Sequence, residues 1–204
     1  MSCIVFDLGG VLCQINRDWQ SAMRSAKLHP INEEAWPLSS CPGFDGYQRG
    51  TIGENSYLED LVSFLNLENL DQAIQVHGAI LNGEYPGTID LVNDLKRAGH
   101  SVGVLSNTND LHWKILTDPA RYPAIAGAEF KVASQIVKCE KPEAMIYREF
   151  ESLSGFAPGS LVFFDDHPAN VEGAIACGWQ AFLIDPYGDT VGQVRQHLNG
   201  LGIR

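Results

Sequence analysis

The chain has 204 residues, of which 45% are hydrophobic and 19% charged, a size and composition typical of one globular domain with a small insert. Its 14 basic and 25 acidic residues give a formal net charge of −11. This charge disfavours nucleic acid and anionic membranes as partners, because their phosphate groups would be repelled. The five cysteines are odd in number and form no Cys-x-x-Cys pair, so neither a disulfide framework nor a zinc ribbon is predicted.

The sequence also lacks the patterns of secreted and membrane proteins. No apolar run reaches the ~18 residues that a membrane-spanning helix needs. The first residues form an apolar run too short for a signal peptide, and no basic segment precedes it. We therefore expect a cytoplasmic protein.

Four short apolar runs rich in β-branched and aromatic residues predict buried strands. They lie at residues 3–6, 101–105, 161–164 and 181–184. Helical patterns accompany them, at residues 88–98, 110–116, 142–154, 168–177 and 191–198. The runs are continuous rather than alternating, which is typical of strands covered on both faces. This order predicts an α/β fold with a doubly wound, Rossmann-like parallel sheet and the first strand at its centre.

The segment after the first strand departs from this alternation. Residues 13–85 show helical periods at 18–28, 54–65 and 70–81 but no convincing strand. The turn sequence Tyr85-Pro86-Gly87 marks the return to the alternating pattern. We predict a core domain of residues 1–12 and 86–204 and a helical cap domain of residues 13–85.

Polar side chains stand where the predicted strands end. Asp7 follows the first strand, Ser106-Asn107 the second, and Asp165-Asp166 the third. The ligand crevice of an open α/β sheet lies at the carboxyl ends of its strands. We therefore expect these side chains to meet at one edge of the sheet.

Each of these segments also has a purely structural interpretation. Asp7 is able to begin a turn, the segment 106–109 to cap the next helix, and Asp166 to cap the helix that starts at Pro168. Lys141 is harder to explain in this way, because a cation is unfavourable at the start of a helix. A nearby anion is expected to compensate it.

The predicted cluster of carboxylates requires positive charge. Asp7, Asp165 and Asp166 cannot all remain ionised at close range without cations. Lys141 supplies one, and Mg²⁺ is the best second candidate because it prefers oxygen ligands and is often held by one or two carboxylates together with a substrate phosphate. The sequence therefore predicts a magnesium site.

Four ordered segments carry the most specific pattern. They are Asp7-Leu8-Gly9-Gly10-Val11-Leu12, Ser106-Asn107-Thr108-Asn109, Lys141-Pro142-Glu143 and Asp165-Asp166-His167-Pro168-Ala169-Asn170. Together they resemble the four motifs of the haloacid dehalogenase (HAD) superfamily, and the likeness covers essentially the whole predicted core. The insert resembles the helical-bundle cap of that superfamily. Within it, the chain looks most like the sugar-phosphate phosphatases related to bacterial glucose-1-phosphate phosphatase.

The resemblance implies a role for each matching residue. Asp7 would be the nucleophile that forms an aspartyl-phosphate. The hydroxyl of Ser106 and the backbone N–H of Asn107 would bind the phosphoryl oxygens, and Lys141 would neutralise the transferring group. The activity implied is that of a phosphatase acting on a small phosphorylated metabolite, a sugar phosphate-like monoester.

The resemblance also implies the ligands of the metal. Asp7, Asp166 and the carbonyl of Gly9 would bind Mg²⁺, while Asp165 would hold the surrounding shell or touch a metal-bound water. Asn170 would orient this loop.

One position departs from the pattern of the superfamily. Most of its phosphatases carry a second Asp two residues after the nucleophile, where it protonates the leaving oxygen, and this chain has Gly9 there. General acid–base help is worth ~10²–10⁴ in rate. A slow enzyme, a substrate with a good leaving group, and an inactive protein that serves as a metal-binding or interaction module all remain open. His167 and His112 are candidate substitute acids.

A second activity in the superfamily also lacks that acid. The 2-haloacid dehalogenases attack carbon and need no metal. The adjacent pair Asp165-Asp166 argues against this activity, because two carboxylates without a cation would be costly beside the nucleophile. Within the cap, Asp18, Tyr47 and Arg49 are expected to face the leaving group.

Overall fold

The computed structural model describes residues 2–30 and 32–203. The following strands and α-helices are formed within these ranges. In chain order they are β1 (Cys3–Phe6), β2 (Cys13–Ile15), α1 (Trp19–Ser25), α2 (Phe44–Gln48), α3 (Glu54–Leu65), α4 (Leu70–Gly78), β3 (Leu81–Glu84), α5 (Thr88–Arg97), β4 (Ser101–Ser106), α6 (Asp110–Leu116), α7 (Pro123–Ala126), β5 (Phe130–Ala133), α8 (Ser134–Val137), α9 (Ala144–Ser154), β6 (Leu161–Asp165), α10 (Pro168–Ala176), β7 (Gln180–Leu183) and α11 (Thr190–Gly200).

Five of the strands form one parallel sheet in the order β5-β4-β1-β6-β7. The central strand β1 pairs with β4 and β6 in parallel, with Cys3 opposite Ser101 on one side and opposite Leu161 on the other. The carboxyl ends of β1, β4 and β6 therefore reach the same edge of the sheet. The predicted α/β class, with a doubly wound parallel sheet and a central first strand, is confirmed.

Both faces of the sheet are covered, which explains why its strands are apolar throughout. Ile4 and Phe6 belong to the core cluster on one face, which includes side chains of α5 and α11. Cys3 and Val5 belong to a second cluster, which includes side chains of α9 and α10. Successive residues of β1 thus alternate between two buried cores.

Two details of the core differ from the sequence predictions. The edge strand β5 was not predicted. The helix predicted for residues 142–154 begins at Ala144, with Glu143 as its N-cap residue in an extended conformation. Lys141 therefore lies further back in the loop before the helix, rather than immediately before its first residue.

The helices α1–α4 enclose a separate aromatic core. Trp19, Phe44, Tyr47 and Tyr57 are buried in it, and the rings of Tyr47 and Tyr57 stack with their centroids 4.6 Å apart. This arrangement agrees with the helical patterns of the segment. The assignment of residues 13–85 to a cap domain of its own stays a prediction.

The prediction that residues 13–85 contain no strand is wrong. β2 and β3 form a two-stranded antiparallel ribbon, in which Cys13 pairs with Glu84 and Ile15 with Leu81. The ribbon joins the two ends of the helical segment. Its strands are short and far apart in the chain, so neither an alternating pattern nor a local turn signal marked them.

None of the helices within residues 2–30 and 32–203 is long and apolar enough to span a membrane.

Candidate active site

The ends of three adjacent strands bring the predicted site residues together. Asp7 directly follows β1, and its backbone N–H donates to the carbonyl of Phe164 on β6 at 2.8 Å. Ser106 ends β4 and Asp165 ends β6, and both are buried. The topology of the sheet therefore places a carboxylate, a hydroxyl and a second carboxylate at one edge.

Lys141 lies at the centre of this cluster. Its Nζ is 2.8 Å from Oδ1 of Asp7 and 2.6 Å from Oδ2 of Asp165, and its side chain is 1% exposed. Burial by itself lowers the pKa of Lys141, but the Asp165 and Asp7 carboxylates outweigh it and raise this pKa above the ordinary value. The lysine is therefore a permanent buried cation between two carboxylates.

The side chain of Asn107 fixes the backbone of this lysine. Its Nδ2 donates to the carbonyl of Lys141 at 2.9 Å, and its Oδ1 accepts from the N–H of Lys141 at 2.8 Å. This pair of hydrogen bonds joins the end of β4 to the loop before α9. The family resemblance implies a role only for the backbone N–H of Asn107, so this contact of its side chain was not predicted.

Asp165 is fully buried and saturated with donors. Its Oδ1 accepts from the N–H of His167 at 2.8 Å and from Asn170 Nδ2 at 3.0 Å. Its Oδ2 accepts from Lys141 Nζ at 2.6 Å and from Asn170 Nδ2 at 3.1 Å. Asp165 therefore holds Lys141 and the following loop in place, and Asn170 takes part in this as the sequence predicted.

The arrangement fits a magnesium ion. Asp7, Asp165 and Asp166 each offer a carboxylate oxygen, and these oxygens lie within 4.8 Å of one another. Carboxylate oxygens are the donors that Mg²⁺ prefers. Because Asp165 is already saturated by protein donors, Asp7 and Asp166 are the better candidates for direct ligands.

The nucleophile candidate is sensitive to this surrounding charge. Burial raises the pKa of Asp7 to about 7, Lys141 opposes the shift, and the Asp165 and Asp166 carboxylates add to it. An additional cation beside Asp7 would favour its ionised form.

The glycine pair after Asp7 meets two different neighbours. A Cβ built on Gly9 would lie 2.9 Å from Cδ1 of Ile15, so the place of the missing acid adjoins an apolar side chain of β2. Gly10 has a φ of +85°, and a Cβ there would overlap the carboxylate of Asp166. Gly10 is thus required for the close approach of the turn to Asp166.

Arg17 forms an ion pair that no sequence pattern predicts. This residue follows β2, and its NH2 donates to Oδ2 of Asp166. Its Cζ lies 5.9 Å from the centre of the Tyr187 ring, in a cation–π arrangement. A single arginine in a loop has no local signature, so only the tertiary structure shows that it reaches the carboxylate cluster.

A buried polar network connects the helical segment to the core near Ser106. Tyr57 Oη lies 2.8 Å from Nδ1 of His77, and His77 Nε2 lies 3.0 Å from Oδ1 of Asn109. The rings of His77 and His112 stack with their centroids 4.0 Å apart. Asn109 is the N-cap residue of α6. The network thus orders the start of the helix that follows the Ser106 loop.

Of the two candidate substitute acids, His112 does not suit that task. The Nε2 of His112 lies 2.8 Å from the carbonyl of His77, and its Nδ1 lies 3.3 Å from Nδ2 of Asn109, so both ring nitrogens face protein partners. Burial lowers the pKa of His112 to about 4, which leaves the ring without a spare proton at neutral pH. His167 is exposed and its backbone N–H donates to Asp165, and the role of its side chain as an acid stays a prediction.

The histidine pair predicts a specific dependence of stability on pH. Burial lowers the pKa of both His77 and His112, so below about pH 6.5 the unfolded chain binds more protons and each histidine subtracts about 1.4 kcal/mol of unfolding free energy per pH unit. The contribution of Asp7 to the unfolding free energy has the opposite sign, because the raised pKa of Asp7 stabilises the fold as the pH falls through about 7. Variants that retain Asp7 share this contribution, so it cancels when their stabilities are compared.

We therefore expect His112→Gln to flatten the acid slope of stability by about 1.4 kcal/mol per pH unit, measured by urea unfolding at a series of pH values. The matched control is His29→Gln, because His29 is exposed. A slope that is the same in His112→Gln and the wild type would show that His112 titrates normally in the folded protein.

The three residues of the helical segment that were expected to face the leaving group lie in different places. Asp18 caps α1 and lines a cavity beside Arg17. Tyr47 is buried, so the expectation for it is wrong. The guanidinium of Arg49 forms ion pairs with the carboxylates of Glu140 at 2.7 Å and Glu143 at 2.6 Å. Arg49 therefore contacts the loop that carries Lys141 and is not open to a ligand.

Comparison of the sequence with protein families identifies the class to which this fold and site belong. The family model of the haloacid dehalogenase-like hydrolases matches residues 1–178. The chain therefore belongs to the haloacid dehalogenase-like hydrolase family.

Individual relatives extend the comparison over nearly the whole chain. A protein of Mycobacterium tuberculosis named Phosphatase MT3486 is 28% identical over 213 residues, covering 99% of this chain and 95% of its own. A HAD-like family hydrolase from Porphyromonas gingivalis superposes with a TM-score of 0.79 at 24% identity, covering 97% of this chain and 98% of its own. The HAD family enzyme BT-2542 from Bacteroides thetaiotaomicron, in complex with magnesium and inorganic phosphate, has a TM-score of 0.76 at 22% identity, with 93% and 96% covered. At these identities the two solved structures show a shared fold.

Proposed function

We propose that the protein is a Mg²⁺-dependent phosphatase that hydrolyses small phosphate monoesters through an aspartyl-phosphate on Asp7. The observation that carries this proposal is the buried contact of Lys141 with both Asp7 and Asp165, beside a third carboxylate, Asp166. A carboxylate nucleophile next to a fixed cation and a metal site is suited to transfer a phosphoryl group, which needs positioning and charge stabilisation above all.

In the proposed reaction, a carboxylate oxygen of Asp7 attacks phosphorus while the bond to the leaving oxygen breaks. The leaving oxygen takes a proton from water as it departs, which gives an alcohol and an acyl phosphate on Asp7. A second water then attacks the acyl phosphate and releases inorganic phosphate and the free carboxylate. Lys141 Nζ neutralises charge on the phosphoryl oxygens in both steps. Ser106 is proposed to donate its hydroxyl, and Asn107 its backbone N–H, to the same oxygens.

The metal ligands proposed are Asp7, Asp166 and the carbonyl of Gly9, with Asp165 as a surrounding support. A bound Mg²⁺ supplies charge neutralisation of the phosphoryl group and favours the ionised form of Asp7.

The substrate is proposed to be a monoester with a comparatively acidic leaving group, such as a sugar 1-phosphate. Ile15 adjoins the position where an acid two residues after Asp7 would stand, and His112 has both ring nitrogens directed at protein partners. Without a protein acid, an aryl or hemiacetal oxygen departs more easily than a simple alkoxide. The likeness to glucose-1-phosphate phosphatase is consistent with this choice and stays a prediction.

The relatives support the same proposal. One bears the name phosphatase, and BT-2542 was crystallised with magnesium and inorganic phosphate. Charge alone does not decide against the 2-haloacid dehalogenase alternative, because Asp165 pairs with Lys141 and Asp166 with Arg17. The assay with a 2-haloacid described below decides between the two activities.

The metal site predicts a result that does not depend on turnover. Wild-type protein should bind Mg²⁺ in titration calorimetry, and Asp166→Ala should lose this binding, because it removes one of two proposed direct ligands. Asp185→Ala is the matched control, since Asp185 is an exposed carboxylate on the loop after β7. Equal Mg²⁺ affinity in Asp166→Ala and the wild type would place the site elsewhere.

The activity itself is tested by phosphate release from an aryl phosphate with Mg²⁺ and with a chelator. We expect release that requires the metal. Consumption of a 2-haloacid without Mg²⁺ would instead establish the dehalogenase, and no Asp7-dependent turnover of either compound would establish an inactive protein.

A further inference from the structure

A second, larger cavity lies at Arg17, whose partner Asp166 belongs to the carboxylate cluster. It has a volume of about 340 Å³, whereas the cavity that adjoins Gly9 and Ser106 has about 80 Å³. Two of its polar lining residues already have partners, because Asn16 Nδ2 donates to Ser25 Oγ and to the carbonyl of Ala79, and Tyr85 Oη donates to the carbonyl of Pro186. Gln14 and Asn82 are exposed lining residues, and their amides suit a hydroxylated ligand.

Arg17 is the one cation among the described residues that line this cavity. The one carboxylate in the lining, Asp18, is already satisfied, because it accepts from the N–H and the Oγ of Ser21 at 2.8 Å each. Arg17 pairs instead with Asp166, and its side chain is 40% exposed. The charge of Arg17 is therefore open to a ligand in the cavity.

The same arginine lies next to the proposed reaction. Its partner Asp166 offers an oxygen within 4.8 Å of those offered by Asp7 and Asp165, so one carboxylate separates the guanidinium from the nucleophile cluster. With Asp166 as a metal ligand, as proposed above, this one carboxylate coordinates a divalent ion and also pairs with the guanidinium of Arg17. The remaining donors of Arg17 are then suited to a further anion, and a guanidinium binds carboxylate and phosphate groups in a bidentate manner.

We propose that Arg17 is a specificity-determining residue that binds a second anionic group, a carboxylate or a second phosphate, on the leaving group of the substrate. The amides of Gln14 and Asn82 bind the hydroxyls of the same leaving group, and Tyr187 supports the guanidinium from its ring face. The preferred substrate class is thus a hydroxylated phosphate monoester that carries a second negative charge. This inference rests on the proposed phosphatase activity.

The test compares two monoesters that differ only in this charge. Glucuronate 1-phosphate and glucose 1-phosphate share one phosphorylated skeleton and the same hemiacetal leaving oxygen, and the skeleton ends in a carboxylate in the first and in a hydroxymethyl group in the second. At saturating Mg²⁺, verified by calorimetry for each variant, kcat/KM of the wild type should favour glucuronate 1-phosphate. Arg17→Gln should lower that value by about 10- to 100-fold, as expected for charge-assisted hydrogen bonds, and change glucose 1-phosphate by less than about 3-fold. Arg24→Gln is the control, because Arg24 is an exposed arginine on α1 whose partner is Glu33.

A binding measurement separates recognition from turnover. In an Asp7→Asn background, which should bind without reacting, glucuronate 1-phosphate should bind more tightly than glucose 1-phosphate in calorimetry, and Arg17→Gln should abolish this difference. Arg17→Lys should restore part of it, because the charge returns without the bidentate geometry.

Three results would overturn the proposal. The first is a wild type whose kcat/KM does not distinguish the two monoesters. The second is an equal loss of kcat/KM for both monoesters in Arg17→Gln, which would assign Arg17 to the metal or the transferred phosphoryl group. The third is a difference in binding affinity between the two monoesters that Arg17→Gln leaves unchanged. Release of phosphate from an aryl phosphate distinguishes a failure of the proposed phosphatase activity from a failure of the proposed role of Arg17. Where it still requires Asp7, the phosphatase stands and only the second anionic group is refuted.

Discussion

Asp7→Asn is expected to abolish phosphate release, with a fall in kcat of about 10⁴-fold or more, as for the loss of other covalent nucleophiles. The substitution keeps the shape of the side chain and removes its charge. Lys141 retains Asp165 as a partner at 2.6 Å, so no buried cation is left alone. We therefore expect the folded structure and its melting temperature to change little, and the loss to be one of chemistry.

Phosphate release from an aryl phosphate at saturating Mg²⁺ measures this effect. Asp90→Asn is the matched control, because Asp90 is an exposed carboxylate in the first turn of α5, and it should retain full activity. Equal rates in Asp7→Asn and the wild type would mean that Asp7 is not the nucleophile, and the non-catalytic interpretation would then be preferred.

Lys141→Met is expected to have the largest effect on stability. The side chain of Lys141 is 1% exposed and contacts two carboxylates, and removal of one partner from a buried charge pair costs about 3–5 kcal/mol. For a chain of this size, such a loss corresponds to a fall in melting temperature of roughly 10 °C. Activity should also fall by about 10²–10³ or more, because the fixed positive charge at the phosphoryl group is lost.

The double variant Lys141→Met/Asp165→Asn separates the two roles of the lysine. Neutralising Asp165 removes one of the two uncompensated carboxylates, so part of the lost stability should return. Activity should not return, because the cation beside Asp7 is still missing. A Lys141→Met variant as stable as the wild type would show that the cluster does not depend on this cation.

The parallel core was predictable because its signals are local. The run from Cys3 to Phe6 is continuous and apolar, and the carboxyl ends of adjacent parallel strands necessarily share one edge. Asp7, Ser106 and Asp165 could therefore be placed together from the chain order alone. A contact of Lys141 with an anion was expected from charge, because a cation placed before a helix requires a nearby anion to compensate it.

The remaining features depend on contacts between distant residues. The strand from Phe130 to Ala133 has the charged residue Lys131 in its middle, which hid it among loop residues. Cys13 pairs with Glu84 across the whole helical segment, and no local pattern encodes such a pairing. The same limit applies to the Arg17–Asp166 ion pair and to the stacked His77 and His112, because each partner alone has the sequence context of an ordinary surface or helix residue.

Trapping the covalent intermediate tests most directly whether Asp7 is the nucleophile. Wild-type protein mixed with an aryl phosphate and Mg²⁺ is quenched in acid before the steady state is reached, and its peptides are analysed by mass spectrometry. We expect the added mass of one phosphoryl group on the peptide that contains Asp7, its loss on longer incubation once the substrate is consumed, and no such peptide in Asp7→Asn. Rapid phosphate release with no phosphorylated Asp7 peptide at any time, or the same phosphorylated peptide in Asp7→Asn, would contradict this role of Asp7.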